Sequence, residues 1–349
     1  MSSFADKGGM FSLKDVAAVA GVSIRTVNRV LKKDGYASEA TQKRVLDAAA
    51  RLGYRPNLAA RALKTGRSLE ISAILGPLDQ LHVEKLAAFE QTLRKAAYSV
   101  HVLFGPGERI PSAEVERVLR DSVERRPAAV AVFPQSFLPA YKVQAYFESL
   151  DIPHVFLDPM ERDGIDAIWI DRQQGVYEAV KYLSEQGRRR IAYLGVTVGH
   201  PGDPLFFASG TRFEGYERAV REIGQPPVVL PVDLSTDQFE GGKEAVEAFM
   251  RLSPRPDAVQ TFTDDMAMGF LAGLHERGRR VPEEVSVVGF NDCHYARLAW
   301  PPLSSIAQPL KEVGEAAARV LLAKLNGEPP PETGWSKYLP TKLVLRRTT

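Results

Sequence analysis

The residues best suited to chemistry near the start of the chain are Ile24, Arg25, Asn28 and Arg29. Arginine can bond the O6/N7 edge of guanine bidentately, asparagine can serve adenine or a phosphate, and isoleucine can meet a thymine methyl. Elsewhere the catalytic vocabulary is thin. The six histidines (His82, His101, His154, His200, His275, His294) form no H-x-x-x-H set, and the single cysteine excludes C-x-x-C, so no metal site and no cofactor are expected. Cys293 and His294 are sequence neighbours, whereas a thiol nucleophile needs a base that the fold places in space. The Gly195–Gly199–His200 stretch lacks the Gly-Lys-Ser/Thr ending of a phosphate loop, and no G-x-G-x-x-G follows the first strand. Asp264 and Asp265 resemble a paired-carboxylate site, but they lie between a strand end and a helix start, which favours Asp264 as an N-cap. An enzyme is therefore not expected.

The first four residues fall on a helix whose neighbours are equally legible. Ser12 and Asp15 form a capping box, Leu13, Val16, Ala17 and Ala20 repeat at helical spacing, and Gly21 ends the run. Ser23 caps a second helix with Val27, Val30 and Leu31 as its buried stripe. A third runs from about Ser38 to Leu52, with Val45, Leu46, Ala49 and Leu52 inward and Gly53 as terminator. Two short helices joined by a tight Gly-containing turn describe a helix-turn-helix, whose second helix enters the major groove. A helical hairpin with a solvated basic face fits the same pattern. Residues 1–70 hold 13 Lys/Arg against 6 Asp/Glu, a net +7, while the remainder carries −5, which suggests a polyanion-binding module and equally fits an incidental surface bias.

From Leu69 onward short β-branched runs alternate with helical stretches. Strands are predicted at Leu69–Leu75, Tyr98–Phe104, Ala128–Phe133, Ile152–Leu157, Ala167–Ile170, Arg190–Gly195, Val228–Val232, Ala258–Thr263 and Val285–Phe290. Such alternation indicates parallel sheets with right-handed crossovers. Nine strands exceed one compact sheet of this kind, so two lobes are expected, with a ligand cleft at the strands' carboxyl ends.

The stretch SLKDVAAVAGVSIRTVNRVL, followed by LGYRPNLAARAL, closely resembles the N-terminus of the lactose/galactose repressor (LacI/GalR) family of bacterial transcription factors. Asn28 stands where that family mostly has serine. Further matches are HVFLD (ending at Asp158), IDRQQG, GTRFEGY, FTDDMAMG, VPEEVSVVGFND and PPLSSIAQP, so the resemblance covers nearly the whole chain. It implies an N-terminal all-α helix-turn-helix domain (1–56), a hinge helix and linker (57–68), and two doubly wound parallel-sheet lobes of the type I periplasmic-binding-protein kind (69–349). Lobe 1 is expected at about 69–168 and 308–332, lobe 2 at about 169–307 and 333–349.

The resemblance also implies the roles. Contacts to double-stranded operator DNA are expected from Ser12, Ser23, Ile24, Arg25, Thr26, Asn28 and Arg29, and from the hinge residues Asn57, Ala60 and Leu63, with Leu63 wedging between base pairs. Effector contacts are expected from Asp158, Arg212, Thr263, Asn291 and Gln308, with Phe133 as an apolar wall; Trp169, Phe206 and Phe207 are further wall candidates, Trp169 more readily as core. The effector is expected to be a small hydroxylated metabolite: a sugar, sugar acid or sugar phosphate. Asn291 replaces a common aspartate and Thr263 a common asparagine while Arg212 is kept, which shifts the expectation towards an acidic or phosphorylated ligand. The chain ends soon after Arg347 without a heptad-bearing tail, implying a homodimer. The expected function is a ligand-responsive repressor; a solute-binding protein without a DNA role is the alternative, an enzyme using the cleft a weaker one.

Composition agrees with a soluble globular protein: 44% apolar, 25% charged and 9% aromatic residues. The longest apolar runs, such as Ala128 to Phe133, fall far short of the ~20 residues of a membrane span. No basic flank followed by an apolar stretch opens the chain, so a cytoplasmic protein is expected.

Overall fold

The computed structural model describes residues 11–32, 36–54, 68–76, 78–105, 112–133, 140–159, 165–196, 206–233, 237–332 and 334–349. They fall into two units, Met1–Ser68 and Leu69–Thr349. The first holds α1 (Leu13–Ala20), α2 (Ile24–Lys32) and α3 (Glu39–Arg51). Gly21, at φ 63°, closes α1 in the left-handed region that glycine enters without a Cβ penalty. The Ser23 hydroxyl then accepts the Thr26 N–H at 3.1 Å, and Ser38 does the same for Thr41 at 3.4 Å. Val16, Val27 and Val45, one from each helix, are fully buried at the centre, ringed by Ala17, Ala20, Val30, Ala48 and Ala49. Leu46, expected to face inward, is 52% exposed. Val45, Ala48 and Ala49 share one helix face, and Leu46 points about 100° away from Val45.

The second unit contains two six-stranded sheets. Lobe 1 is built from β1 (Glu70–Leu75), β2 (Ser99–Phe104), β3 (Ala129–Val132), β4 (His154–Leu157), β5 (Ala167–Asp171) and β11 (Lys337–Pro340), with α4 (Gln80–Lys95), α5 (Ser112–Glu124), α6 (Ala140–Ser149) and α11 (Leu310–Leu325). Its strand order is β11-β5-β4-β3-β1-β2, all parallel. Lobe 2 is built from β6 (Ile191–Gly195), β7 (Val228–Pro231), β8 (Ala258–Thr261), β9 (Ser286–Asn291), β10 (Ser304–Ala307) and β12 (Lys342–Val344), with α7 (Arg172–Glu185), α8 (Phe206–Glu222), α9 (Gln238–Arg251) and α10 (Asp264–Glu276). Its order is β12-β10-β9-β8-β6-β7, parallel except for β12.

All nine strands expected from sequence are present. Missing from that reading were β10, β11 and β12, the strands around the passages between lobes. Their sequences, SSIA, KYLP and KLV, are short and rich in residues that carry no strand signal. The chain passes between lobes three times: at Asp171–Arg172, between Ala307 and Leu310, and between Pro340 and Lys342. The boundary expected near 308 stands, while those expected near 168 and 332/333 shift. β11 pairs with β5 from Lys337–Ile168 to Pro340–Asp171, so lobe 1 keeps residues 69–171 and 308–340. No helix among the described residues is long and apolar enough to cross a membrane.

Candidate functional site

Two places concentrate polar groups. In the head, Ile24, Arg25 and Arg29 are exposed along α2, Thr26 and Asn28 are half-buried, and Val27 and Val30 anchor the opposite face. The helix thus presents the residues expected to read base edges. Ser23 and Thr26 are hydrogen-bonded to each other at 2.9 Å, and the Ser12 backbone N–H and hydroxyl both donate to Asp15, at 2.8 and 2.6 Å. These three hydroxyl residues therefore serve helix starts. Asn57, Ala60 and Leu63 lie outside the described residues.

The second concentration sits where the chain passes between lobes. Asp158 follows β4 with φ 55°, a left-handed conformation that Asp tolerates better than most residues. Its buried carboxylate accepts Lys85 Nζ at 3.0 Å, Arg172 Nη1 at 2.8 Å, Arg172 Nη2, and the Ile170 N–H at 3.3 Å. Burial alone would raise such a carboxyl, but Arg172 and Lys85 hold it well below the usual carboxylate range. Arg172 opens α7, and its Nη2 also reaches Gln308 Oε1 at 3.4 Å. The Gln308 amide in turn donates to Asn291 Oδ1 at 2.6 Å. Asp158, Asn291 and Gln308, expected from sequence to meet, are therefore joined by one chain of bonds through Arg172.

Lys85 and Arg172 escaped the sequence reading. For Lys85 the signal was available. Leu81, Lys85, Ala88 and Phe89 fall at i, i+4, i+7 and i+8 on α4, so a lysine occupies an apolar stripe. Only 3% of it is exposed.

Arg212, on α8, is 6% exposed and belongs to lobe 2. Its Nη1 donates to the Phe262 carbonyl at 2.5 Å, and its guanidinium lies 4.3 Å from the Phe262 ring centre and 4.0 Å from that of Phe290. Burial, aided by the charge of Arg172, lowers its pKa to about 9. Thr263 is the N-cap of α10, accepting the Met266 N–H at 3.3 Å while donating to Gln238 Oε1 at 2.6 Å. That corrects the expectation for Asp264, which is not the cap but the first helical residue. Its fully buried carboxylate accepts the Ser305 hydroxyl at 2.5 Å and the Cys293 N–H at 2.7 Å. Burial outweighs both bonds and raises it to about 7. Asp265 accepts from Tyr295 at 2.7 Å, so the two carboxylates have separate partners.

Of the aromatic wall candidates, Phe133 and Trp169 lie in the lobe 1 core. Phe133 has no exposed surface and packs edge-on against Phe89, ring centres 5.9 Å apart, inside the lobe 1 core. A β3-end residue pointing into that core cannot also face the cleft. Trp169 is likewise core, stacked on Tyr338 at 5.1 Å. The side chains of Phe206 and Phe207 lie outside the described ones.

Comparison with known proteins assigns this architecture. Residues 12–57 match the model of the lacI family of bacterial regulatory proteins, and residues 180–349 a periplasmic binding protein-like domain. The chain is 32% identical to the HTH-type transcriptional regulator RegA of Clostridium saccharobutylicum over 97% of this chain and 99% of that one. The chain belongs to the LacI family of bacterial regulatory proteins. A second LacI-family relative, the ribose operon repressor of Halalkalibacterium halodurans, is 30% identical over 97% of each chain. Among solved structures, a Lac repressor bound to ONPG in its repressed state superposes with a TM-score of 0.81 at 25% identity, covering 98% of this chain and 100% of that one. Within this LacI-family protein, the helix-turn-helix is the 12–57 match, and the 180–349 match takes in most of lobe 2 together with α11, β11 and β12.

Proposed function

We propose that the protein is a homodimeric transcriptional repressor that binds a pseudo-palindromic operator through α2 and is switched by a small hydroxylated metabolite held between its lobes. The observation that carries this reading is the bond chain Asp158–Arg172–Gln308–Asn291, which lies at the passages between the lobes. Anything bound there touches the joints on which the lobes turn. A ligand shifts a conformational equilibrium only through its differential affinity for the two states, and joints are where the states differ. The exposed Arg25 and Arg29 face of α2 supplies DNA contact, and Asn57, Ala60 and Leu63 belong to the same proposal as the hinge. Exposed Leu298 and Trp300, the latter 86% exposed on lobe 2, favour self-association.

A thiol nucleophile in the cleft is disfavoured because burial pushes the Cys293 thiol up to about 12, far from a usable thiolate. A solute-binding protein without a DNA role is disfavoured by the helix-turn-helix. Gel-shift titration against upstream genomic DNA tests the proposal. With 6–10 phosphate contacts, affinity should fall about 10³–10⁵-fold between about 50 and 200 mM salt. A flat salt response, or no shifted fragment, would overturn it.

A further inference from the structure

We infer that the metabolite held between the lobes is an oxyanion, a small carboxylate or phosphate monoester, bound by Lys85, Arg172 and Arg212. This rests on the reading of the cleft as the effector site and names the class of effector.

Charge makes the first argument. Three cations are gathered here with little exposure, and among the described residues only Asp158 is a carboxylate bonded to any of them. Asp158 is taken by Lys85 and Arg172 together. Among the described residues Arg212 has a carbonyl and two aromatic faces but no carboxylate in hydrogen-bond contact. Asp264, the other acid near Arg212, is spoken for by Ser305 and Cys293, and burial raises its pKa. Burying a cation without a counter-ion is costly, and a neutral ligand would leave that cost in place. A bound anion removes it.

Unused donors make the second, independent argument. The Nε atoms of Arg172 and Arg212 are both buried, and neither has a hydrogen-bond partner among the described residues. Buried donors left unpaired are rare in folded proteins. Arg212, which gives only Nη1 to a partner, can offer the two-toothed edge that carboxylates and phosphates accept, whereas Arg172, with both Nη atoms given to Asp158 and Gln308, adds its Nε alone. The Asn291–Gln308 amide pair and the Thr263–Gln238 pair lie alongside and offer donors and acceptors to hydroxyl groups. An anion carrying hydroxyls, a sugar acid or a sugar phosphate, fits both sets.

The test uses the full chain at pH 7.5 and constant ionic strength. Melting and calorimetry compare inorganic phosphate with chloride, and then glucose with gluconate and glucose 6-phosphate, and ribose with ribose 5-phosphate. Phosphate should raise the melting temperature saturably where chloride does not. Within each set, the charged sugar should bind at least tenfold more tightly than the neutral one; whichever of gluconate and the phosphates wins identifies the source of the oxyanion. Lys85→Met and Arg212→Gln should each weaken phosphate binding tenfold or more, and each variant's own cooperative melt in chloride shows that it is folded. Arg212→Gln leaves the Asp158 ion pairs intact, so it decides the matter if Lys85→Met does not fold. Absence of stabilisation by any oxyanion overturns the inference. So do neutral sugars that bind as well as their charged partners, although the effector-site reading survives that result. Failure of the operator gel shift sinks the repressor reading itself and is scored separately.

Discussion

Replacing Asp158 by asparagine should strand two charges inside the protein. Asn tolerates the left-handed φ of 55° and keeps an acceptor oxygen, so the backbone is undisturbed and the charge alone changes. Lys85 Nζ at 3.0 Å and Arg172 Nη1 at 2.8 Å then face an amide in place of a carboxylate. Removing one partner of a buried ion pair costs about 3–5 kcal/mol, because the remaining charge stays desolvated. For a unit the size of residues 69–349 that corresponds to a melting point lower by on the order of 10 °C. Urea unfolding at neutral pH, followed by far-ultraviolet circular dichroism, measures the loss. The pH dependence gives an independent check. Because Arg172 and Lys85 depress the Asp158 pKa in the folded state, its contribution is fully present above the ordinary carboxylate pKa of ~3.9 and is lost as pH falls further. The gap between the parent and Asp158→Asn should thus be constant from about pH 5 to 7 and close below about pH 4. Adding Lys85→Met to Asp158→Asn removes one stranded charge and should recover about 1 kcal/mol or more, as expected for residues in contact. A loss under about 1 kcal/mol at neutral pH, or a gap that does not close in acid, would refute the reasoning.

Asp264 should behave with the opposite sign. Its folded pKa is raised to about 7, so the stability it contributes is present below ~4 and is lost as pH rises towards 7, at no more than about 1.4 kcal/mol per pH unit; Asp264→Asn should flatten that limb, and an unchanged slope would show the carboxyl to be ionised throughout. Gly314 lets α11 lie against α4, since a Cβ there would stand 2.1 Å from the Lys85 carbonyl oxygen and 2.9 Å from the Phe89 nitrogen. Gly314→Ala should therefore cost about 1–3 kcal/mol by forcing the two helices apart, and a melt identical to the parent's would show that they can yield freely. On the DNA side, Arg25→Ala should cost about 1–3 kcal/mol per contacted site and relax preference at a single base pair; selection from a random operator library checks this, and an unchanged base preference would remove Arg25 from base reading.

The sequence by itself determined the elements and the order in which they come. In the head, capping serines, the terminating Gly21 and apolar residues at helical spacing are local signals, so all three helices could be read from it. The nine strands that were legible are short apolar runs, most of them buried on both faces though the edge strands β2 and β7 are not, a pattern that also needs no partner to be visible. Tertiary structure decided the rest. The strands β10, β11 and β12 exist because of what they pair with: β11 is held by β5, and the serines of β10 are satisfied by Asp264 and Thr349. Nothing within four residues of them announces that. The same holds for the cleft. Asp158, Asn291 and Gln308 could be named in advance, but the guanidinium that links two of them comes from Arg172, and the lysine opposite comes from Lys85, 73 residues upstream of Asp158. Phe133 shows the limit from the other side: its position at a strand end suited a ligand wall, yet the alternation of side chains along β3 turned it into the core against Phe89. Periodicity tells which residues are buried together on one element; which charges from different elements share one carboxylate is settled only when the sheets are assembled, because that pairing depends on distances the linear order does not contain.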